Sequence, residues 1–397
     1  MSQSAVGKWV DSASKGKLKL ALIQDNGKSY IAATTRNRTL IEAMVQERKK
    51  YFNGLSLKTI SPKREFYELF NPDHVLDIIA NLDIRGETLR QYNYFGDGAA
   101  SWDRYQNRLI EENSPSSPTR TVEQLAMSRS YIDSILAKYK HINVIDVGPG
   151  NAFPVKDLLS RLLEQGKLGR YLAIDISADM LAIAERNIKE WFNGAVNFEA
   201  DIRDITHERF ADQLAGAYIG EQADDTINLV LLLGGTLGNL AAPDEALRVI
   251  YHSMGRNDLL LYNLKLDTDD NRSLFDFHPE TKSVALSPTH SYLFDLLNID
   301  QSYYAVDMGY DPRSRGRFIR AKLKVALSIK FELQAGTRQV DLQKDESILL
   351  WHYRHQSADD VIEQFKRNGF NTLQASQTGD HEFLLVICDL AGTSNRR

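Results

Sequence analysis

Five short apolar runs recur through the middle of the chain: NVIDVG, YLAIDIS, VNFEADI, INLVLLLGG and DLLLYNL. Helical stretches separate them, among them KDLLSRLLEQ, ADMLAIAERNIKEWF and PDEALRVIYHSM, and VEQLAMSRSYIDSILAKY precedes the first. Strands that are apolar almost throughout must be covered on both faces. Their alternation with helices predicts a parallel sheet with helices on either side. The pattern predicts a Rossmann-like α/β domain over residues 122–265. It resumes over 353–397, where SADDVIEQFKRNGF reads as a helix capped by Ser357 and stopped by Gly369. HEFLLVICDL then closes the chain as a buried strand.

The flanking segments follow other rules. In residues 1–121, LKLALIQ and SYIAATT flank Asp25-Asn26-Gly27-Lys28, a hairpin signal because Asn-Gly suits the tight primed turn. NRTLIEAMVQERKKYF and PDHVLDIIANL carry apolar residues at helical spacing. From Gly86 to Thr121 the chain reads as irregular and aromatic, with Pro115 and Pro118 expected to break helix. In 266–352 the loop-like DTDDNRS, HPETKS and DPRSRGR give way to RFIRAKLKVALSIKFELQ and TRQVDLQ, which alternate as antiparallel strands do. The expectation is a second α+β domain assembled from 1–121 and from this insertion after the fifth strand. A chain of 397 residues has room for both.

Composition narrows the function. A net charge of −5 with interspersed signs lacks the basic footprint of a nucleic-acid binder. No run approaches the roughly 20 apolar residues of a membrane span. The N-terminus lacks the apolar stretch of a signal peptide. The single cysteine, Cys388, reads as a small buried hydrophobe, and together these features point to the cytoplasm.

The chemistry gathers where the strands end. In VIDVGPGNAF, Gly148 and Gly150 occupy the turn after the first strand, where bare backbone admits a polar or anionic group close to a helix start. Position 153 is Phe, so the third glycine of a dinucleotide fingerprint is absent. Asp175 ends the second strand, a place suited to ribose hydroxyls. Asp201 ends the third and could accept from an adenine amino group. Gly234, Gly235 and Gly238 in LLLGGTLGNL leave backbone bare after the fourth, and Asn239 offers both a donor and an acceptor. Each has a plainer reading: a tight strand–helix turn, a capping or surface aspartate, close packing.

Taken together, VIDVGPGNAF, AIDIS, EAD and above all LLLGGTLGN resemble the histidine-specific methyltransferases of ergothioneine biosynthesis, the EgtD-like family. SSPTRTVEQ and the lead-in YNYFGDGAASWDRYQ resemble that family's segments before the first strand. The resemblance implies a Rossmann-like methyltransferase sheet, a substrate domain, S-adenosylmethionine as cofactor and an amino-acid-like amine as acceptor. It makes Gly148, Gly150, Asp175, Asp201 and Gly234 the cofactor's residues. Gly234 and Asn239 would meet the acceptor's amino-acid end.

Two departures bear on that acceptor. The family's tyrosine before Pro-Thr-Arg-Thr is Ser117 here. Its later glutamate and serine, two apart, align with Leu350 and His352 in ESILLWHYRH. The groups that read an imidazole therefore look replaced, and a small amine or amino acid other than histidine is expected. Glu346 and His352 are the candidate bases by proximity. Two rivals stay open: a cofactor-binding module without catalysis, and a nicotinamide oxidoreductase. No metal is expected. His352 and His355 point to opposite faces of a strand, and Asp267, Asp269 and Asp270 read as a solvated loop.

Overall fold

The computed structural model describes residues 22–25, 28–32, 34, 37–41, 57–114, 117–219, 223–268 and 286–392. Its strands run in chain order as β1 (Leu22–Asp25), β2 (Lys28–Ile31), β3 (Lys58–Ile60), β4 (His141–Val147) and β5 (Leu168–Asp175). Then come β6 (Phe198–Ile202), β7 (Thr226–Leu232), β8 (Leu259–Lys265), β9 (Tyr304–Asp311) and β10 (Gly316–Leu323). The last five are β11 (Leu327–Leu333), β12 (Gly336–Leu342), β13 (Ser347–Arg354), β14 (Phe370–Gln377) and β15 (Phe383–Leu390).

The chain divides into two compact units. One holds Arg90–Thr281, Met308–Phe318 and Trp351–Arg397. Its seven-stranded sheet has the order β14-β15-β8-β7-β4-β5-β6. The five strands of the alternating pattern pair in parallel, and β15 enters antiparallel to both β8 and β14. This is the Rossmann-like sheet expected from the sequence. Two apolar layers cover it. Ile142, Val144, Leu229 and Leu231 point to one. Ile145, Val147, Val230 and Leu232 point to the other, where they meet the Pro243–Ser253 helix. Strand neighbours alternate between the layers because successive side chains leave opposite faces.

The other unit holds Met1–Leu89, Lys282–Asp307 and Ile319–Leu350. It pairs β3 in parallel with β11 and β11 antiparallel with β12. Phe66 packs on Phe331 of β11, ring centres 5.9 Å apart, both fully buried. β1 and β2 pair antiparallel with Asp25 opposite Lys28, and the Asn26-Gly27 turn itself lies outside the described residues. Outside them too lie most of the expected 37–52 helix, Pro115, Asp269 and Asp270. Strands β9, β10 and β13 each carry residues of both units.

The structure corrects the reading of 86–121 as irregular. Asp97–Glu111 is a helix of 15 residues, entered through Gly96 at φ 50°. Pro118 starts the Ser117–Met127 helix rather than breaking one, because a first-turn proline gives up an N–H that has no partner there anyway. The larger unit therefore begins at Arg90, before the residues 122–265 that the periodicity marks out. Tyr94 and Trp102 explain the shift, since they pack on Ala99, Met180 and Ile183.

The C-terminal helix Ala358–Arg367 carries its caps as the sequence places them. Ser357 Oγ accepts from the Asp360 N–H, and the Asp360 carboxylate accepts in return from the Ser357 N–H, each at 3.2 Å. Gly369 follows the helix at φ 93°, and a Cβ there would stand 2.6 Å from the Tyr251 ring. Ser357→Ala should therefore lower unfolding free energy by about 1 kcal/mol. Gly369→Ala should lower it further, because strain and a clash add. Denaturant midpoints of the two variants check the order; a more stable Gly369→Ala would contradict the packing described.

Candidate functional site

Strand order reverses between β4 and β7, the place where ligands bind in open α/β sheets, and the loops that leave their C-terminal ends meet there. The loop after β4 carries Gly148 at φ 69° and Gly150 at φ 57°, values that favour glycine. Both are also demanded by packing. A Cβ on Gly148 would stand 2.9 Å from the side chain of Thr236, in the loop after β7. One on Gly150 would stand 2.5 Å from the ring of Trp102. Asn107 and Asp103 of the same helix as Trp102 bond Asn151 and Arg186, so this helix holds the loop from outside.

Three carboxylates line the strand ends. Asp175 closes β5, and its Oδ1 accepts from the Ser177 N–H at 2.9 Å. Burial pushes its carboxyl up to about 6, with Asp204 adding to the shift. Asp146, on β4, is not among the residues singled out from sequence. It is buried, accepts from the Tyr171 hydroxyl at 2.8 Å, and is pushed by burial to about 7. Asp201 behaves differently: its Oδ2 is bound by Arg203 at 2.6 Å, so the carboxylate is half of an ion pair. Its neighbour Ile202 is 59% exposed at the strand end, a bare apolar face that the sequence reading passed over.

The loop after β7 is tied from several sides. Thr236 Oγ1 donates to the Leu233 carbonyl at 3.0 Å, and the Gly234 N–H donates to Asn263 Oδ1 at 2.8 Å. The Gly235 carbonyl accepts from the Gly238 N–H at 3.1 Å and from Asn239 Nδ2 at 3.2 Å. Between these anchors, the peptide joining Gly234 to Gly235 has neither its C=O nor its N–H bonded to a described residue. Gly234 is exposed at φ 73°, and a Cβ there would meet nothing within 4 Å.

Strand β13 supplies the side chains that face this loop, and their register differs by one residue from the sequence alignment. Trp351 Nε1 donates to Asn239 Oδ1 at 2.9 Å. Tyr353 lies against Gly235 and Gly238, where added Cβ atoms would come within 2.9 Å and 2.6 Å of it. The two rings stack, centres 6.1 Å apart, and the Arg317 guanidinium lies 5.6 Å from the Trp351 ring. Leu350 and His352, named from sequence, take the alternate positions. Leu350 is 1% exposed within the smaller unit. The His352 ring covers Gly316, whose Cβ would stand 2.0 Å from Nε2. A strand read one residue out of step exchanges its faces, and that is the correction here.

The remaining candidates are placed as follows. Ser117 opens the Ser117–Met127 helix, and its carbonyl accepts from Thr121 Oγ1 at 2.7 Å. Glu346 closes the turn before β13, accepting from the Gln343 N–H at 2.8 Å, which is a structural task rather than that of a base. His355 is 3% exposed beside Tyr353, and burial, with Arg317 nearby, pushes its ring down to about 4. Among the described residues no cluster of three or more metal-type side chains forms, and no helix is long and apolar enough to cross a membrane.

The family described as histidine-specific methyltransferase, SAM-dependent, matches residues 118–390. No curated protein matches the chain. Among solved structures it is similar to an S-adenosylmethionine-dependent methyltransferase from Clostridium acetobutylicum, at 11% identity and TM-score 0.35, covering 81% of this chain and 100% of that one. It is similar to the CcbJ methyltransferase from Streptomyces caelestis at 11% identity and TM-score 0.38, covering 70% and 91%. It is also similar to 1,6-didemethyltoxoflavin-N1-methyltransferase from Burkholderia thailandensis at 12% identity and TM-score 0.36, covering 74% and 85%.

The raised carboxyls have a measurable consequence. Asp175 and Asp146 ionise at about 6 and about 7 when folded, against roughly 3.9 in an unfolded chain. The folded state keeps these protons longer. Their contribution to stability is full below about pH 4 and is lost as pH rises through 6 and 7. Asp175→Asn should flatten the fall in unfolding free energy between about pH 4 and pH 6, seen by urea titration at a series of pH values. An unchanged slope in that variant would assign the proton elsewhere.

Proposed function

The chain belongs to the family of histidine-specific, S-adenosylmethionine-dependent methyltransferases, and we propose that its acceptor is the amine of a small amino-acid-like metabolite other than histidine. The family answers the choice of cofactor and of reaction class that the residues alone leave open. The observation that carries the proposal is the Gly234–Gly235 peptide. It follows β7 at the reversal of strand order, its carbonyl unbonded among the described residues and the Cβ side of Gly234 open. A fixed carbonyl accepts an N–H of an incoming amine and so turns the nitrogen lone pair away from itself.

The residues present fit the cofactor. Asp175 ends β5, where it accepts from the backbone N–H groups of Ser177 and Ile176, and a carboxylate at that strand end is placed for ribose hydroxyls. Ile202 offers a flat apolar surface at the next strand end. Asp201 reaches an adenine amino group only through the oxygen that Arg203 does not hold. When bound, S-adenosylmethionine supplies a sulfonium methyl already activated for displacement. The protein's part is to orient the nitrogen in line with that methyl and to exclude water.

Neither candidate base faces the loop. Glu346 caps a turn and His352 covers Gly316. We therefore read the acceptor as entering as the free amine, its proton lost to solvent. The rate should climb with pH toward the amine's own pKa, and His352→Ala should leave that profile in place.

The case against histidine rests on β13. A neutral imidazole has one donor and one acceptor nitrogen. Trp351 has a single N–H, which Asn239 already takes. Tyr353 is packed on glycines, its hydroxyl hydrogen-bonded to the Lys265 backbone. These residues present aromatic faces where a histidine reader needs paired polar groups. An aromatic or apolar acceptor suits them.

The deciding experiment is a competition among the twenty amino acids and simple amines at equal concentration, scored by methylated product. An aromatic or apolar amine should win. Histidine emerging first would overturn the acceptor reading. The cofactor side is separate: Asp175→Ala should weaken S-adenosylmethionine about tenfold or more, since a buried hydrogen bond to a charged group is worth about 1.5–3 kcal/mol. Unchanged affinity by calorimetry would move the ribose site away from Asp175.

A further inference from the structure

Asn263 is a fully buried amide on β8. Its Oδ1 accepts from the Gly234 N–H at 2.8 Å. Its Nδ2 donates to Thr121 Oγ1 at 2.7 Å and to Gln124 Oε1 at 3.1 Å. The orientation is dictated by chemistry. A backbone N–H can only donate, so the amide oxygen must face Gly234 and the NH₂ must face the helix. Thr121 spends its own proton on the Ser117 carbonyl, so its oxygen receives. Gln124 must then turn its oxygen inward, which leaves its Nε2 buried without a hydrogen-bond partner.

That chain of bonds ends on one peptide plane. The peptide between Leu233 and Gly234 is held at its N–H by Asn263 and at its C=O by Thr236. The peptide after Gly235 is held through the Gly235 carbonyl. The unbonded Gly234 carbonyl hangs between two fixed planes, on glycines at φ 73° and 80°. Glycine has no side chain to hold such a conformation, so the anchors set where that carbonyl points.

We propose that Asn263 is a positioning residue for methyl transfer: clamped by Thr121 and Gln124 of the Ser117–Met127 helix, it fixes the Gly234 peptide from β8, and thereby the direction in which the acceptor's amine is received. The inference rests on the proposed role of the Gly234 carbonyl. It gives the SSPTRTVEQ segment a task, since its Thr121 and Gln124 clamp Asn263.

The test pairs two readouts on S-adenosylmethionine-loaded protein: kcat with the amine that wins the competition, and amide hydrogen exchange at Gly234. Asn263→Leu keeps the shape and loses every bond. It should lower kcat about 10- to 100-fold, as misplacement of a reacting group does, with cofactor affinity retained and Gly234 exchange accelerated. Asn263→Asp should recover most of the rate, because Gln124 can turn its idle Nε2 to the second oxygen and Thr121 can turn its hydroxyl. Gln124→Leu in that background should abolish the recovery. Should Asn263→Leu not fold, Thr121→Val loosens the same clamp from outside and should lower kcat by itself. Unchanged kcat or unchanged Gly234 exchange in Asn263→Leu overturns the proposal, as does a loss in Asn263→Asp equal to that in Asn263→Leu. If no amine is methylated by the wild type, the acceptor reading falls, and Gly234 exchange alone decides whether Asn263 holds the loop.

Discussion

Where strand order reverses between β4 and β7, no crossover helix can lie across the gap, because the connections leave to opposite sides. Two loops therefore meet over the sheet with their backbones bare. A backbone that stays uncovered must be stiffened by something other than its own secondary structure. Here the stiffening comes from side chains that press on glycines. Trp102 presses on Gly150, Thr236 on Gly148, and Tyr353 on Gly235 and Gly238. The glycines are needed because those side chains occupy the space a Cβ would take. The same contacts leave Gly234 alone, open on the side where the others are covered.

Much of this frame is legible in the sequence because it repeats. Five apolar strands alternating with helices define the sheet, and the glycine-rich loops follow its strand ends. The register of β13 is not legible, although its strand character is. ILLWHYRH alternates apolar and polar poorly, so nothing local says which of Leu350, Trp351, His352 and Tyr353 share a face. The structure decides through Asn239 and Gly238, residues more than a hundred positions away. Pro118 shows a different limit. Proline restricts φ in both a turn and a first helical turn, and only the bonds of Thr121 and Gln124 to β8 choose between them.

Asn263 was within reach of sequence reading. A carboxamide inside DLLLYNL breaks a run that has every reason to stay apolar, and a buried polar group survives only when it is bonded. What the sequence withholds is the partner, since Gly234, Thr121 and Gln124 come from separate segments. Asp146 is similar. It reads as part of the Gly-rich turn, but Tyr171 across the strand pair takes its carboxylate and burial raises its pKa.

The two polar contacts on the glycine loop work in different directions, and this bears on how specificity arises. Asn263 acts on the loop from beneath, through a backbone N–H, and any residue that accepts that bond can do so. Trp351 acts from above, through the Asn239 side chain, and its indole lies beside the loop. If the Gly234 carbonyl receives the acceptor's amine, as proposed, the acceptor must fit both that carbonyl and the aromatic surface of β13. The carbonyl treats all primary amines alike, because every such amine offers an N–H. On that proposal discrimination falls to β13, where an apolar face would separate competitors by packing alone. Packing separates close analogues only modestly, whereas a site that must bond a substrate's polar atoms rejects analogues lacking them by far larger factors. With Trp351 and Tyr353 at these positions, selectivity among aromatic and apolar amines should be broad, and the rejection of small polar ones should come from their failure to cover the indole.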